Sequence, residues 1–339
     1  GMGNCFPVDF VEEILAHLPN KSIMRFRCVS KEWSSYLVSD EFYKLRFTLR
    51  PHERLLKLTD SGFSFINYED SLIPSTEQSF PFKKPNKLVD FIGSCDGLVC
   101  LSLGCPLHGR SFDSSKQELV LWNPCTGIHR EMPKLLDVAD YREARAFGFG
   151  YAPASCDYKI YIRVILQSQE EVTQIFSLKA NSWKKIKNHG ENLRGNGLLL
   201  NGALHWDDEG VFGAHNIIAF DLEKEEAYDV PSPPLYLLRD VQFAMVGIIG
   251  DCLCMHGGWY DTTMPNYDAL HIWIMKEYCV QTSWVPLIKV MYDETGLDGC
   301  CYDASDMVPQ FINNNGYMLM QGEGGDVYLI DTQSECTHL

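Results

Sequence analysis

The segment Phe91-Ile-Gly-Ser-Cys-Asp-Gly-Leu-Val-Cys-Leu101 decides the fold class, because its pattern recurs along the chain. A glycine-marked turn separates two apolar runs, which is typical of an antiparallel hairpin. An alternating strand and another turn follow, and the unit ends at Pro133. Similar units end at Ile186, Pro231 and Leu287. The sequence therefore predicts an all-β repeat domain.

The spacing of these repeats indicates how the sheets are arranged. The unit ends lie 53, 45 and 56 residues apart, and one blade of a β-propeller needs about 40–50 residues. A small sheet with two apolar faces is not stable alone, so the sheets are expected to stack in a ring. Weaker half-units at 54–68 and 316–331 are expected to close it. A β-propeller is the predicted architecture of residues 51–339.

The first fifty residues follow a different, helical pattern. Their first stretch has apolar residues at helical spacing, which predicts a helix with one buried side: Phe10, Val11, Ile14, Leu15 and Leu18. A second short helix is predicted over 22–27, a third after an N-cap at Ser30, and a fourth stretch over 40–47. Three or four helices in residues 1–50 cannot bury this surface alone. Either a partner covers it, or the helices dock on the following domain.

The string from Pro7 to Trp33, Pro-x-Asp-x4-Ile-Leu-x2-Leu-Pro-x-Lys-Ser-Ile-x-Arg-Phe-x-Cys-Val-Ser-Lys-x-Trp, resembles the F-box of plant F-box proteins. Phe6 departs from that pattern, since the family usually has Leu before Pro. The resemblance implies that the small all-α F-box binds a Skp-type adaptor and, through it, a cullin. The adaptor contacts that it implies are Pro7, Phe10, Ile14, Leu15, Leu18, Ile23, Cys28 and Val29.

The repeat region resembles the F-box-associated domain of plant proteins, including the kelch-related and S-locus F-box groups. The resemblance rests on strings such as Gly93-Ser-Cys-Asp-Gly-Leu-Val-Cys-Leu101, Leu121-Trp-Asn-Pro124 and Asn201-Gly-Ala-Leu-His-Trp206. It implies a substrate-recognition subunit of a Skp–cullin–F-box ubiquitin ligase, which recruits a protein target for ubiquitylation and degradation. The alternative is a lectin-like F-box receptor that binds a glycan or a small molecule in the propeller well.

The charge distribution bears on the partner. The net charge of the chain is −16, with about +1 in residues 1–50 and −17 in residues 51–339. Such a field repels nucleic-acid phosphates and favours a basic target, although acidity also keeps a protein soluble. The third predicted helix, 30–37, has one basic and one acidic residue, which disfavours a DNA-reading helix.

The thirteen cysteines do not predict a metal site, because they contain no Cys-x-x-Cys pair. Reduced thiols in the cytoplasm or nucleus, or in both, are the expectation. The longest apolar stretches are too short for a bilayer, so no membrane association is expected. No hydrolase, phosphate-loop or zinc-protease motif is present. We therefore expect a protein without catalytic activity, cofactor or bound metal.

Target binding on a propeller is expected in loops of one face, where exposed aromatic and charged residues form hot spots. Two loops are predicted, at 136–146 and 257–268, together with an acidic loop. The candidate target-binding residues are Tyr141, Arg142, Arg145, Asp207, Asp208, Glu209, Trp259, Tyr260 and Asp261.

Overall fold

The computed structural model divides the chain into two compact units, residues 1–83 and 84–339. The residues that it describes are 8–16, 18, 20–37, 39, 41–42, 45, 55–59, 61–67, 71–74, 76–82, 89–104, 117–135, 141–188, 193–209, 215–234, 237, 241–260, 267–291, 308–312, 317–321 and 327–331. The predicted boundary between residues 50 and 51 falls inside the first unit, and it stays a prediction.

The first unit begins with three short helices. They are α1 (Val8–Ala16), α2 (Asn20–Phe26) and α3 (Lys31–Tyr36). Ser30 caps α3, since its Oγ accepts a hydrogen bond from the Trp33 backbone N–H at 3.1 Å. The helices share one apolar cluster of buried side chains, formed by Leu15, Ala16, Ile23, Leu37 and Phe42. This cluster fixes which side of each helix is left for other contacts.

The first unit also contains a small sheet. Its strands are β1 (Leu55–Leu58), β2 (Gly62–Asn67), β3 (Ser71–Pro74) and β4 (Gln78–Ser79). β2 pairs in antiparallel fashion with β1, β3 and β4.

The second unit consists of consecutive antiparallel sheets. The first two have the strands β5 (Val89–Cys95), β6 (Leu98–Leu103), β7 (Glu118–Trp122) and β8 (His129–Glu131), then β9 (Tyr141–Ala152), β10 (Asp157–Leu166), β11 (Glu171–Ser177) and β12 (Ser182–Ile186). The third has β13 (Gly195–Leu200), β14 (Ala203–Glu209), β15 (His215–Asp221) and β16 (Glu226–Val230). The fourth has β17 (Val241–Ile249), β18 (Cys252–Tyr260), β19 (Tyr267–Met275) and β20 (Trp284–Met291), and the fifth has β21 (Val308–Ile312), β22 (Tyr317–Gln321) and β23 (Val327–Asp331).

Within each of these sheets, strand order follows the chain. β9 and β13 also pair with each other in parallel, which joins the second and third sheets into one curled eight-stranded sheet. The prediction of a chain built mainly from repeated antiparallel strands is therefore confirmed over the described residues. The parallel contact was not visible in the sequence, because it joins strands of two different repeats.

The first strands of successive sheets pack closely. A Cβ atom on Gly93 of β5 would lie only 3.1 Å from the Cβ atom of Phe149 of β9. Glycine at this position therefore allows the two first strands to approach closely.

Apolar clusters fill the space between neighbouring sheets. One joins the first and second sheets and includes Ile92, Phe147 and Phe149. Others join the second to the third, the third to the fourth and the fourth to the fifth. Hydrogen bonds from two indole N–H groups also join neighbouring sheets. Trp183 Nε1 of the second sheet donates to Pro133 O, after the first, at 2.7 Å, and Trp284 Nε1 of the fourth donates to Pro231 O, after the third, at 2.8 Å. The stacked sheets thereby form one core.

Candidate functional site

The helices of the first unit expose an apolar surface. Ile14 of α1 is 54% exposed and Val29, after α2, is 64% exposed. Cys28 is also exposed. Exposed apolar side chains that cluster mark interaction sites, and the exposed residues among the predicted adaptor contacts are Ile14, Cys28 and Val29, which we call the adaptor patch.

Other predicted adaptor residues lie in the core of the same helices. Leu15 and Ile23 are 3% and 7% exposed, and Leu18 packs partly buried against their cluster. These side chains hold the helices in position and offer little surface to a partner. Pro7 and the side chain of Phe10 lie outside the described residues.

The register of the second unit brings the predicted target-binding groups to one edge. Tyr141 lies opposite Leu166, Glu209 opposite His215, and Val241 opposite Trp259. The starts of first strands and the ends of second strands therefore meet at the same edge of each sheet. The parallel pairing of β9 with β13 aligns this edge in two neighbouring sheets.

The fourth sheet has the same orientation. Leu200 and Ala203, at the far end of the third sheet, share an apolar cluster with Leu253 at the far end of the fourth. The opposite ends of these sheets are therefore also on one side. We call that side the rim, meaning the starts of β5, β9, β13 and β17 with the ends of β10, β14 and β18.

The segments predicted as loops are partly strand, which corrects the interpretation of several residues. Tyr141, Arg142 and Arg145 belong to β9. Asp207, Asp208 and Glu209 belong to β14, and Trp259 and Tyr260 to β18. The side chains of Asp208, Glu209, Trp259 and Tyr260, and the whole of Asp261, lie outside the described residues. The sequence pattern was misleading because polar residues alternate along strands that reach the rim.

Tyr141 is a buried residue of the core. It is 7% exposed, its hydroxyl hydrogen-bonds to Gln117 Oε1, and Gln117 Nε2 donates to Ser102 Oγ at 2.9 Å. This polar chain links the second sheet to the first at the rim. The tyrosine therefore supports the rim and leaves little of its ring for a target.

Arg142 and Arg145 occupy special positions of β9. The pairing with β10 skips both residues, since Tyr141, Glu143, Ala144 and Ala146 have partners on β10 while the two arginines are the extra residues of β-bulges. Bulges redirect a side chain and are common beside binding sites. Similar skips occur at Ile92 in β5, Gln242 in β17 and Gln310 in β21.

Two further rim residues had no signal in the sequence. Phe91 of β5 is 42% exposed, although it is a large aromatic residue within a strand. Asn196 Nδ2 of β13 donates to the Phe91 carbonyl oxygen at 2.7 Å. Phe91 is not among the predicted target-binding residues, because the bulge beside it at Ile92 has no sequence signature.

Comparison with known proteins gives the family. The F-box associated beta propeller domain matches residues 37–334, and the F-box domain matches residues 4–45. The chain belongs to the F-box associated beta-propeller family. Relatives include F-box protein CPR1 of Arabidopsis thaliana, 29% identical, over 84% of this chain and 72% of the relative. An F-box/kelch-repeat protein of the same plant is 26% identical, over 84% of this chain and 79% of the relative.

These matches confirm the resemblance found in the sequence. The chain is a plant-type F-box protein with an F-box-associated propeller domain. The adaptor patch lies in the F-box match, and the rim lies in the propeller match. The five consecutive sheets of the second unit are accordingly read as propeller blades.

Two histidines are buried among the described residues of the F-box-associated domain. His205 Nδ1 lies 3.2 Å from Leu198 O and its Nε2 lies 2.6 Å from Tyr278 Oη. Neither ring nitrogen of His256 has a hydrogen-bond partner. Burial lowers the pKa of each to about 4. Both imidazoles are therefore neutral at physiological pH.

The described part of the domain offers no set of metal ligands. No group of three or more His, Cys, Asp or Glu residues suited to a metal ion occurs among the described residues. Burial raises the pKa values of the Cys100 and Cys254 thiols, so both behave as small apolar side chains. No helix in the described part of the chain is both long and apolar enough to cross a membrane.

Proposed function

We propose that this F-box protein is the substrate-recognition subunit of a Skp–cullin–F-box ubiquitin ligase. Its F-box binds a Skp-type adaptor, which connects it to a cullin, and its propeller domain binds a protein target for ubiquitylation and degradation. The observation that carries the proposal is the exposure of Ile14 and Val29 on the F-box helices. Covering them removes apolar surface from water, which stabilises a complex.

The burial pattern supports different roles for the predicted adaptor residues. In this proposal Ile14, Cys28 and Val29 contact the adaptor directly. Leu15 and Ile23 act through the helix core, because their side chains are already buried. Ubiquitin transfer takes place elsewhere in the ligase, so the chain itself is a non-catalytic receptor of the cytoplasm, the nucleus or both.

The propeller domain supplies the target surface. The net charge of −17 over residues 51–339 favours encounter with a basic protein, because a field of that sign attracts positive charge over about one Debye length. The predicted rim residues Arg142, Arg145 and Asp207 are the described members of this surface that are at least partly accessible.

Substitution of the adaptor patch tests the proposal. Ile14→Asp and Val29→Asp each place a charge in the expected apolar contact, and each should weaken binding to a purified Skp-type adaptor by at least about tenfold. Lys31→Ala, at an exposed residue of α3, is the matched control and should bind normally. Calorimetric titration of the full chain measures all three. Unchanged adaptor binding by both aspartate variants would refute the F-box role.

A further inference from the structure

We propose that the rim binds an extended acidic segment of the target, with carboxylates on Arg142 and Arg145 and an apolar side chain against Phe91. This proposal rests on the proposed function, since it names the chemistry that the target-binding surface selects. It concerns the rim of the propeller alone and makes no use of the adaptor patch.

Arg145 is held at the rim with unused hydrogen-bonding capacity. Its side chain is 18% exposed, and its Nε lies 3.3 Å from Glu143 Oε1. That contact is an ion pair whose geometry does not make a hydrogen bond, and Nε is buried without a hydrogen-bond partner. A buried donor without an acceptor is costly. A ligand carboxylate can form charge-assisted hydrogen bonds with the accessible part of this side chain.

Arg142 provides a second, more exposed position. Its Nη1 donates to Gln169 Oε1 at 3.0 Å, and its Nη2 lies 3.8 Å from Glu143 Oε2. Glu143 is therefore shared between two arginines, which leaves this group of three residues with a net charge of +1. Such a positive cluster within a strongly acidic domain is a local site for negative charge.

The strand that contains Phe91, β5, approaches β9 close to Arg145. Asn196 pairs with Phe147 in the parallel ladder of β13 and β9, and Gly195 pairs with Ala146, the residue after Arg145. Because Asn196 also hydrogen-bonds the Phe91 carbonyl, the three first strands meet within about one residue step, roughly 3.3 Å along the strand. Exposed aromatic and arginine side chains together are typical of binding hot spots.

The spacing favours a peptide over a single small anion. Arg142 and Arg145 are three residues apart on one strand, which corresponds to at most about 10 Å. The Glu143 carboxylate already occupies the position between the two guanidinium groups, so ligand carboxylates have to meet each arginine separately. An extended segment with acidic residues two positions apart can do so, because alternate side chains of an extended chain point to the same side, and an apolar residue at the next alternate position would face Phe91. The net charge of the whole domain still governs the encounter with the target, whereas these residues act on the bound segment.

Selection from random peptides tests this chemistry directly. The probe is a phage-displayed library of twelve-residue random peptides, selected on the immobilised full chain. We expect enrichment of peptides with two or more Asp or Glu residues close to an apolar residue. A synthetic peptide of the enriched sequence should then bind Arg145→Gln and Phe91→Ala about tenfold or more weakly than the unsubstituted chain, by fluorescence anisotropy.

Two variants control for charge and for folding. Arg130→Gln removes an exposed arginine of β8 that donates to Asn181 and should leave peptide binding unchanged. Arg145→Lys keeps the charge but loses the planar fork, so its affinity should be intermediate. Thermal unfolding of every variant is measured in parallel, and only variants that unfold cooperatively near the temperature of the unsubstituted chain are compared.

The outcomes separate this proposal from the proposed function. Enrichment of basic peptides, enrichment that Arg145→Gln retains, or no enrichment at all would each overturn it. Binding of inorganic phosphate without enrichment of peptides would also overturn it in favour of a small-anion site. Adaptor titration of the same preparation reports on the F-box independently, so a failure there leaves the peptide result interpretable.

Discussion

His205 Nε2 lies 2.6 Å from Tyr278 Oη, which connects the third sheet of the propeller to the turn after β19 of the fourth. His205 Nδ1 lies 3.2 Å from the Leu198 carbonyl oxygen, so Nδ1 carries the proton and Nε2 accepts from the tyrosine. Tyr228 Oη lies 2.6 Å from the same Tyr278 oxygen and therefore donates to it. One phenol thus joins two sheets through a neutral imidazole.

Tyr278→Phe tests the contribution of this connection. The variant leaves the buried His205 Nε2 without a donor, and we expect the free energy of unfolding to fall by about 1–3 kcal/mol. Tyr228→Phe is the control, because it removes one donor to Tyr278 and preserves the bond to His205. Tyr228→Phe should lower the free energy of unfolding by less than Tyr278→Phe does. Urea unfolding of both variants measures the difference. Equal free energies of unfolding in the two variants would show that the hydrogen bond between His205 and Tyr278 contributes nothing to stability.

The two buried histidines predict a loss of stability in mild acid. Their pKa values fall from the ordinary 6.5 to about 4 in the folded chain, so between these values the unfolded state binds more protons. The free energy of unfolding should be greatest above pH 6.5 and fall below it, by about 1.4 kcal/mol per pH unit for each histidine. Urea unfolding between pH 7.5 and pH 5 measures this slope.

His256→Leu separates the two contributions. The substitution removes a titrating side chain that makes no hydrogen bond. It should therefore halve, approximately, the change of the free energy of unfolding with pH, and it should lower that free energy little at pH 7.5. His205→Leu would leave Tyr278 without its acceptor and should destabilise the chain even at neutral pH. A slope that neither variant changes would contradict the assignment of the pH dependence to these residues.

Neighbouring residues of α1 should respond differently to the same substitution. Leu15→Asp places a charge in the helix core, so it should unfold the F-box and abolish adaptor binding indirectly. Ile14→Asp places the charge at the surface, so it should preserve the helical circular dichroism signal and remove adaptor binding alone. Circular dichroism with adaptor titration distinguishes them. Equal loss of helix in both variants would contradict the separation of core from contact surface.

Ionic strength should affect the two partners differently. Association of a basic target with the acidic propeller domain should slow as salt rises, because the Debye length falls from about 10 Å at 0.1 M to about 3 Å at 1 M. Adaptor association through the nearly neutral F-box should change little. Surface plasmon resonance over a salt series measures both, with the adaptor as internal control. Target association rates that do not respond to salt would leave the acidity as a solubility feature.

The local patterns of the sequence predicted much of the fold. The helical stripe that contains Ile14 and Leu15 predicted α1, and the repeated glycine-marked hairpins predicted the successive antiparallel sheets. Such patterns are informative because the period of side-chain direction is a property of each helix or strand by itself. They also predicted that Arg142 and Arg145 belong to the target surface, which stays a prediction, but placed them in a loop.

The sequence by itself determined the F-box and the propeller repeat, because both are encoded in local periodicity and turn residues. Only the tertiary structure decided which apolar residues are exposed, since Ile14 and Leu15 are adjacent and equally apolar. It also decided the rim, where Asn196 meets Phe91 across 105 residues of chain and two bulges redirect Arg142 and Arg145. Those contacts depend on how whole sheets pack, and the packing of sheets sums many weak interactions that no short stretch of sequence contains.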